Sequence, residues 1–394
     1  MSLRGFSTAS ARREFALLRT RPWDLAMISW VPLLAVFLIW WIFSAGLPER
    51  LPIGVLDQDH SALSRQLTRF LDATPGLRVT QQYADEAEMQ RALTSGAVDA
   101  AVQVPRDLSR DVKQGRVGQI VLLHNAQLGT HSSLIQRDVR TAVATMSAGV
   151  ELAVRNKRGE SMKAARVSMD PVKASMVALF NTSTDYEQFL GAALIPALLH
   201  ILAMTAGAWA VGRELRDRSL GGWLGAAPRW NEALAALAGK LMLPFASLSA
   251  VGIAAMLWIT AGRGWHPVGS VGWTLFALMV FLALSIALGA FVASLTRSLR
   301  TALSATGFIT APAFAFGGVG FPLVAMPLLA QLWAGLLPYT HYIRVQMEQL
   351  QMGAPVAYSA ATPLWMVVGT IMLLAVSATL LLRAAAAPDT WGGR

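Results

Sequence analysis

From about Leu25 to Leu47 the side chains are almost unbroken hydrocarbon. Five more such blocks follow at Phe189 to Val211, Leu241 to Thr260, Val271 to Leu295, Thr301 to Val319 and Pro363 to Leu382. About 18 to 20 apolar residues let an α-helix cross bilayer hydrocarbon. In lipid, every backbone polar group must be paired within the segment, so these blocks commit the chain to membrane helices. Charged residues make up only 14% of the 394 positions, where a soluble domain carries about 25%. The predicted fold class is an α-helical membrane protein with six transmembrane helices, plus an inserted mixed α/β extracytoplasmic domain.

Trp23 stands at the near end of the first block, with Trp40 and Trp41 near its far end, where indoles anchor at the interface. The block is too long for a cleaved signal, and no small-residue cleavage site follows it. Ahead of it Arg12, Arg13, Arg19 and Arg21 flank Phe15, Leu17 and Leu18. That is the pattern of a short amphipathic helix on the membrane surface. Residues 1–24 are read as this amphipathic segment and 25–47 as the first transmembrane helix.

Positive charge orients the spans. Arg213, Arg216, Arg218, Arg229 and Lys240 share one connection, Arg297 and Arg300 another, and Arg383 follows the last block. The short alternate connections, residues 261–270 and 320–362, hold only Arg263 and Arg344 as Lys or Arg, and long segments such as 48–188 count little toward orientation. Both termini and the Arg-rich loops are therefore expected in the cytoplasm. The net charge of +10 reads as this asymmetry rather than as a nucleic-acid surface. Helices two to six fill residues 189–382, with a cytoplasmic loop at 212–240 and a tail at 383–394. Residues 320–362 do not fit a simple span. Pro322, Pro327 and Pro338 interrupt them, and Leu323 to Leu337 reads as a re-entrant or interfacial helical pair.

Residues 48–188 are polar and lie, on this topology, outside the membrane. Predicted strands are Ile53 to Leu56, Leu77 to Gln81, Ala97 to Val104 and Gly118 to Leu123. Predicted helices are Ser61 to Ala73, Asp85 to Thr94 and Arg106 to Gln114. A helical pattern from Ser132 to Ser161 has candidate breaks at Gly149 and Gly159, and Asp170-Pro171 opens the return to the membrane. The chain has no cysteine, so this domain folds without disulfides and no thiol chemistry is available.

The chemistry on offer is sparse. Asp57, Asp59 and His60 could hold a divalent ion only with further ligands from elsewhere. The simpler reading is a turn, with an aspartate capping the next helix and Ser61 as a plausible N-cap. His200 is the one ionisable side chain well inside a block, so it is a functional candidate. Its blander reading is a neutral imidazole bonded to a neighbouring helix. No Asp, Glu, Lys or Arg lies mid-block, which speaks against a proton or sodium gradient as energy source. No phosphate loop is present either: Gly239-Lys240 is followed by Leu241, and position 234 is Leu. The charged run Arg213, Glu214, Arg216, Asp217 and Arg218 reads as a solvated loop or as a docking surface for a cytoplasmic partner. His341 has no serine or cysteine elbow beside it, so no nucleophile–base pair and no catalytic site is assigned.

The ordered set of motifs resembles the permease subunits of type-2 ATP-binding-cassette (ABC) exporters, in the branch with a large extracytoplasmic domain between the first and second transmembrane helices. "REFALLRTRPW" resembles that family's amphipathic N-terminal helix, here with Arg13, Glu14, Phe15 and Arg19. "LPIGVLDQDHSALSRQL" and "GAVDAAVQVPRDLSRDVKQG" look like strand–helix units of the outer domain, and "LFNTSTDYEQFLGAALIPALL" like the re-entry into the second span. "LAGKL" is similar to the entry to the third span, and "LPYTHYIR" to the segment before the last. Many relatives carry an acidic-basic-acidic run and then Gly-Thr after the second span. This chain has Arg216-Asp217-Arg218 and then Ser219-Leu220.

The resemblance implies a half-transporter in the bacterial inner membrane, paired with a second permease subunit as a homo- or heterodimer. Mg-ATP would bind a separate ABC ATPase subunit, and this chain would bind no cofactor or metal. Coupling would run through the N-terminal helix and the 212–240 loop, and a periplasmic adaptor is a possible further partner. Spans rich in Ala, Leu, Gly and Trp suit a hydrophobic or amphipathic drug or lipid. The alternatives are a mechanotransmission or a sensor subunit that couples an ATPase to the outer domain without transport.

Overall fold

The first apolar block does not fold as one straight helix. In this computed structural model the described residues are 3–114, 116–125, 129–157, 181, 185–225 and 228–391. Helix α1 (Leu3–Thr20) leads into α2 (Pro22–Ile28) and α3 (Trp30–Phe43), and α2 and α3 meet at a bend of about 40°. The cause is Pro32, which has no N–H for the carbonyl four residues back and crowds it sterically. That carbonyl, on Ile28, instead accepts a hydrogen bond from the Ser247 hydroxyl.

Two compact units make up the chain: Met1–Gly46 together with Ala178–Arg394, and Leu47–Val177. The second unit runs β1 (Leu51–Asp57), α4 (Ala62–Asp72), β2 (Leu77–Tyr83), α5 (Glu86–Ser95), β3 (Ala100–Val104), α6 (Leu108–Lys113), β4 (Val121–His124) and α7 (Gly129–Lys157). Its sheet has the order β2-β1-β3-β4, with β1 parallel to β2 and β3, and β4 antiparallel to β3. Ile53, Val55 and Leu56 are buried on both faces of the central strand, which explains its continuous apolar sequence. Each strand and helix expected here has a counterpart, with ends shifted by up to several residues. Gly149 does not break α7: a lone helical glycine costs about 1 kcal/mol and does not by itself end a helix. Gly159, Ser161 and Asp170-Pro171 lie outside the described residues.

The acidic turn after β1 is structural. Asp57 Oδ1 accepts the amides of Asp59 and His60, its Oδ2 accepts the Ser64 hydroxyl at 2.6 Å, and Ser61 caps α4 by accepting from Leu63 and Ser64. Asp59 holds a different helix, accepting the Ser109 amide in the first turn of α6. His60 is exposed.

The first unit continues with α8 (Ala192–Arg216), α9 (Leu220–Leu224), α10 (Trp230–Leu257), α11 (Val271–Thr296), α12 (Leu299–Thr310) and α13 (Ala313–Phe316). After these come α14 (Leu328–Leu336), α15 (Pro338–Gln346), α16 (Val356–Ser359) and α17 (Ala361–Ala385). Among the described residues, four helical segments are long and apolar enough to cross a membrane: Glu187–Arg216, Trp230–Gly262, Val271–Thr296 and Val356–Ala385. The bent α2–α3 pair makes a fifth if it counts as one span. The fifth of the six expected spans, Thr301 to Val319, is not a single long helix. Its main helix, α12, has 12 residues, or about 18 Å of rise against about 30 Å of hydrocarbon. Pro312 removes the donor that would continue it, and Gly318, at φ +82°, turns the chain.

The bundle packs through small residues. A Cβ on Gly207 would overlap the Ile286 carbonyl, and one on Gly289 the Met204 carbonyl, so α8 and α11 lie nearly backbone to backbone. Pro196 frees the Ala192 carbonyl within α8, and Gln346 Nε2 of α15 donates to it at 2.8 Å. Tyr339 of the same helix donates to the next carbonyl, Ala193, at 3.0 Å. A buried neighbour thus completes the backbone that proline interrupts. In the region expected to be re-entrant, α14 is short and largely exposed, while seven of the nine residues of α15 are buried.

Candidate functional site

Helix α1 buries a stripe at four-residue spacing, Ser10, Glu14 and Leu18, the period of one helix face. Phe15, expected on the apolar side, is exposed. The buried face lies on α10, because Gly239 has no Cβ: one there would overlap the Ser7 carbonyl. The "LAGKL" motif thereby gains a physical meaning. Its glycine admits α1, and its lysine meets the acid that α1 carries.

That acid, Glu14, is 3% exposed and sits at the centre of a buried ionic junction. Arg213 Nη2 donates to both Glu14 carboxylate oxygens at 2.7 Å, and Arg213 Nη1 donates to Asp24 Oδ2 at 2.6 Å. Lys240 Nζ donates to Glu14 Oε2 and to Glu214 Oε1, both at 2.7 Å. Arg13 Nη2 donates to Glu214 Oε2 at 3.0 Å, and the Ser219 hydroxyl bonds to the same oxygen. Three carboxylates and three cations from α1, α2, α8 and α10 are thus matched. The Lys240 ammonium also lies 4.8 Å from the centre of the Trp223 ring, and the Trp223 indole N–H donates to Ser10 at 2.8 Å. Arg13 Nη1 reaches the Gly222 carbonyl at 3.2 Å, so α9 is held to α1 as well.

These contacts divide the charged run seen in the sequence. Arg213 and Glu214 are each 1% exposed and belong to the junction, not to a surface. The expected loop at 212–240 is mostly helix, since α8 extends to Arg216 and α10 starts at Trp230. Arg216, Asp217 and Arg218 are exposed. Arg216 pairs with Asp217 at 2.7 Å and covers the Trp209 ring, while Arg21 reaches Asp217 at 3.0 Å. The Arg216 hydrogen bond, followed by that from Arg21, holds the Asp217 carboxyl below the usual carboxylate range. Its folding contribution is therefore present above about pH 4 and lost only as the pH falls further. Arg19 lies over the Phe15 ring at 5.7 Å on the exposed face of α1.

Sequence reasoning missed Asp24 and left Lys240 as loop charge. One signal was available: Glu14 and Asp24 are the only acids among the first 48 residues, and acids isolated beside membrane helices need partners.

His200 is fully buried on α8, away from these contacts. Its Nδ1 lies 2.9 Å from the Ser285 hydroxyl of α11, and that hydroxyl donates to the Phe281 carbonyl. Nδ1 is therefore the protonated nitrogen in this arrangement. Its Nε2 has no partner. The imidazole thus sits in the glycine-lined α8–α11 seam. Among the described residues no three of His, Cys, Asp and Glu converge as metal ligands would.

As arranged, the junction fastens α1 and α2 to α8 and α10. Helix α1 cannot leave α8 and α10 without separating charges that are buried together, and a buried charge left without its partner is strongly destabilising. A family model described as ABC-2 family transporter protein matches residues 22–387. No curated protein matches the chain.

Proposed function

The chain belongs to the ABC-2 family of transporter proteins, and from that premise we propose that it is the export permease of an ABC system. It carries a hydrophobic or amphipathic substrate outward across the bacterial inner membrane. ATP hydrolysis takes place on a separate ATPase subunit, where Mg-ATP binds. Two permease chains line the route, and a periplasmic adaptor extends it. The Leu47–Val177 unit faces outward, and both termini face the cytoplasm.

The observation that best supports this reading is the ionic junction. It makes α1, α8 and α10 one lever, and it leaves Arg216, Asp217 and Arg218 exposed beside the joint to meet a partner. Mixed-sign surfaces of this kind set partner register and on-rate. A push on the 217–229 connection then reaches two long membrane helices at once.

The test is biochemical. The purified chain alone is expected to show no ATP hydrolysis, and hydrolysis is expected once the ATPase subunit is added. Arg216→Glu together with Asp217→Arg is expected to abolish co-purification of the ATPase while membrane insertion stays normal. These are surface positions, where substitutions usually stay within about 0.5 kcal/mol of stability. ATP hydrolysis by the chain alone would overturn the reading. Unchanged co-purification and substrate-stimulated hydrolysis would move the contact to the exposed Phe15 and Arg19 face of α1.

A further inference from the structure

Beside the ionic junction, α1 and α2 leave a gap against the bundle. The cavity measures about 310 Å³ and is walled by Leu18, Leu202, Ala206, Pro244 and Leu303. Trp23 and Met27 also line it and are exposed, so it is open at that edge. Protein interiors leave few voids larger than a water molecule. An apolar void stays dry and takes up apolar guests, and cavities from about 300 Å³ upward are of ligand size.

Two further observations narrow the guest. The Trp209 indole Nε1 is buried, has no partner, and belongs to a residue lining this cavity. A buried indole N–H ordinarily finds an acceptor. The carboxylates of Glu14 and Asp24 also reach the wall, but both are held by Arg213, and Lys240 shares Glu14. The junction is matched charge for charge, so its wall offers no net charge to attract an ion.

We propose that this cavity binds an uncharged apolar molecule carrying one hydrogen-bond acceptor, such as an ester or carbonyl oxygen, which the Trp209 N–H engages. The guest lies between α2 and the helices that the junction ties together, so its presence props the joint from the side. Two sources share this chemistry: the ester-linked chain of a bilayer lipid, and a neutral hydrophobic cargo molecule. The inference goes beyond the transport reading and does not depend on it, because binding is measured without ATP or a partner.

The experiment uses the purified full chain in phosphatidylcholine nanodiscs. One arm uses phosphatidylcholine carrying a diazirine on its acyl chain. The other uses Nile red, an uncharged apolar dye with a carbonyl oxygen. If lipid is the guest, photoadducts concentrate at residues 23–28 and 202–209 over the other lipid-facing helices, and dye does not displace them. If a cargo-like molecule is the guest, Nile red binds saturably and suppresses adducts at those residues. In either case Ala206→Trp fills the space and lowers the signal by about fivefold or more. Trp209→Phe keeps a ring under Arg216 but removes the donor, and lowers it by about two- to fivefold. Thermal unfolding of both variants is measured alongside. If Ala206→Trp does not fold, Trp209→Phe and the milder Ala206→Leu carry the test. Adducts spread evenly over the helices with no saturable dye binding, or signals unchanged in the folded variants, would overturn the proposal.

Discussion

Glu14 is the residue on which the junction turns. It takes both a guanidinium and an ammonium, and both donors are buried with it. Glu14→Gln keeps the shape but leaves Arg213 and Lys240 sharing one carboxylate fewer. Breaking a buried pair from one side is expected to cost on the order of 3–5 kcal/mol, read as a lower unfolding temperature in detergent. Adding Lys240→Met removes one of the stranded cations, so the double variant is expected to be less damaged than the sum of the singles. Strict additivity would mean that the two side chains do not work as a pair. Arg13 gives the contrast. Its side chain is about a third exposed, and Lys240 and Ser219 still hold Glu214 once it is gone, so Arg13→Ala is expected to lower the unfolding temperature less than Glu14→Gln does.

At the level of elements, Gly239 decides whether α1 docks at all. Gly239→Leu puts a side chain where the Ser7 backbone lies, and hydrogen exchange of the α1 amides is expected to rise by about tenfold or more as that helix opens. Gly221→Ala is the control, since a Cβ there meets nothing within 4 Å. Equal protection of α1 in both variants would contradict the close packing. The elements themselves were largely legible. Apolar blocks gave the long helices, and a short apolar run followed by a turn and a cap gave the first strand–helix unit after Leu47. Two things were not. Proline effects depend on tertiary partners: Pro32 bends its helix and Ser247 takes the freed carbonyl, Pro196 is absorbed by Gln346, and Pro312 stops α12 short of a span. Helix ends were misplaced for a related reason. Arg213, Glu214 and Lys240 read as loop because they are charged, yet each is neutralised by a partner up to 226 positions away. Periodicity carries no information about such pairings.

For the whole molecule, the open quantity is its direction in the membrane. Positive charge sets it: the end of α8 and the connection after it hold Arg213, Arg216, Arg218 and Arg229, while the short connections at the opposite ends of the long helices hold Arg263 and Arg344. Arg263 is not free to report on topology alone, because its Nε lies 3.1 Å from both Glu187 oxygens and its guanidinium covers Trp40. The junction's acids pair Arg213 and Lys240 on the other side in the same way, so the bias rests on the count of Lys and Arg rather than on net charge. The absence of cysteine from all 394 residues makes the test clean, since any introduced thiol is the sole target. Gln82 is exposed on β2, and Gly221 is exposed in α9 with open space for a side chain. Gln82→Cys is expected to react with a membrane-impermeant maleimide in spheroplasts. Gly221→Cys is expected to react only after the inner membrane is opened. The reverse pattern would place the Leu47–Val177 unit in the cytoplasm and the ionic junction outside, beyond reach of any ATPase. The lever reading of α1, α8 and α10 would fall with it.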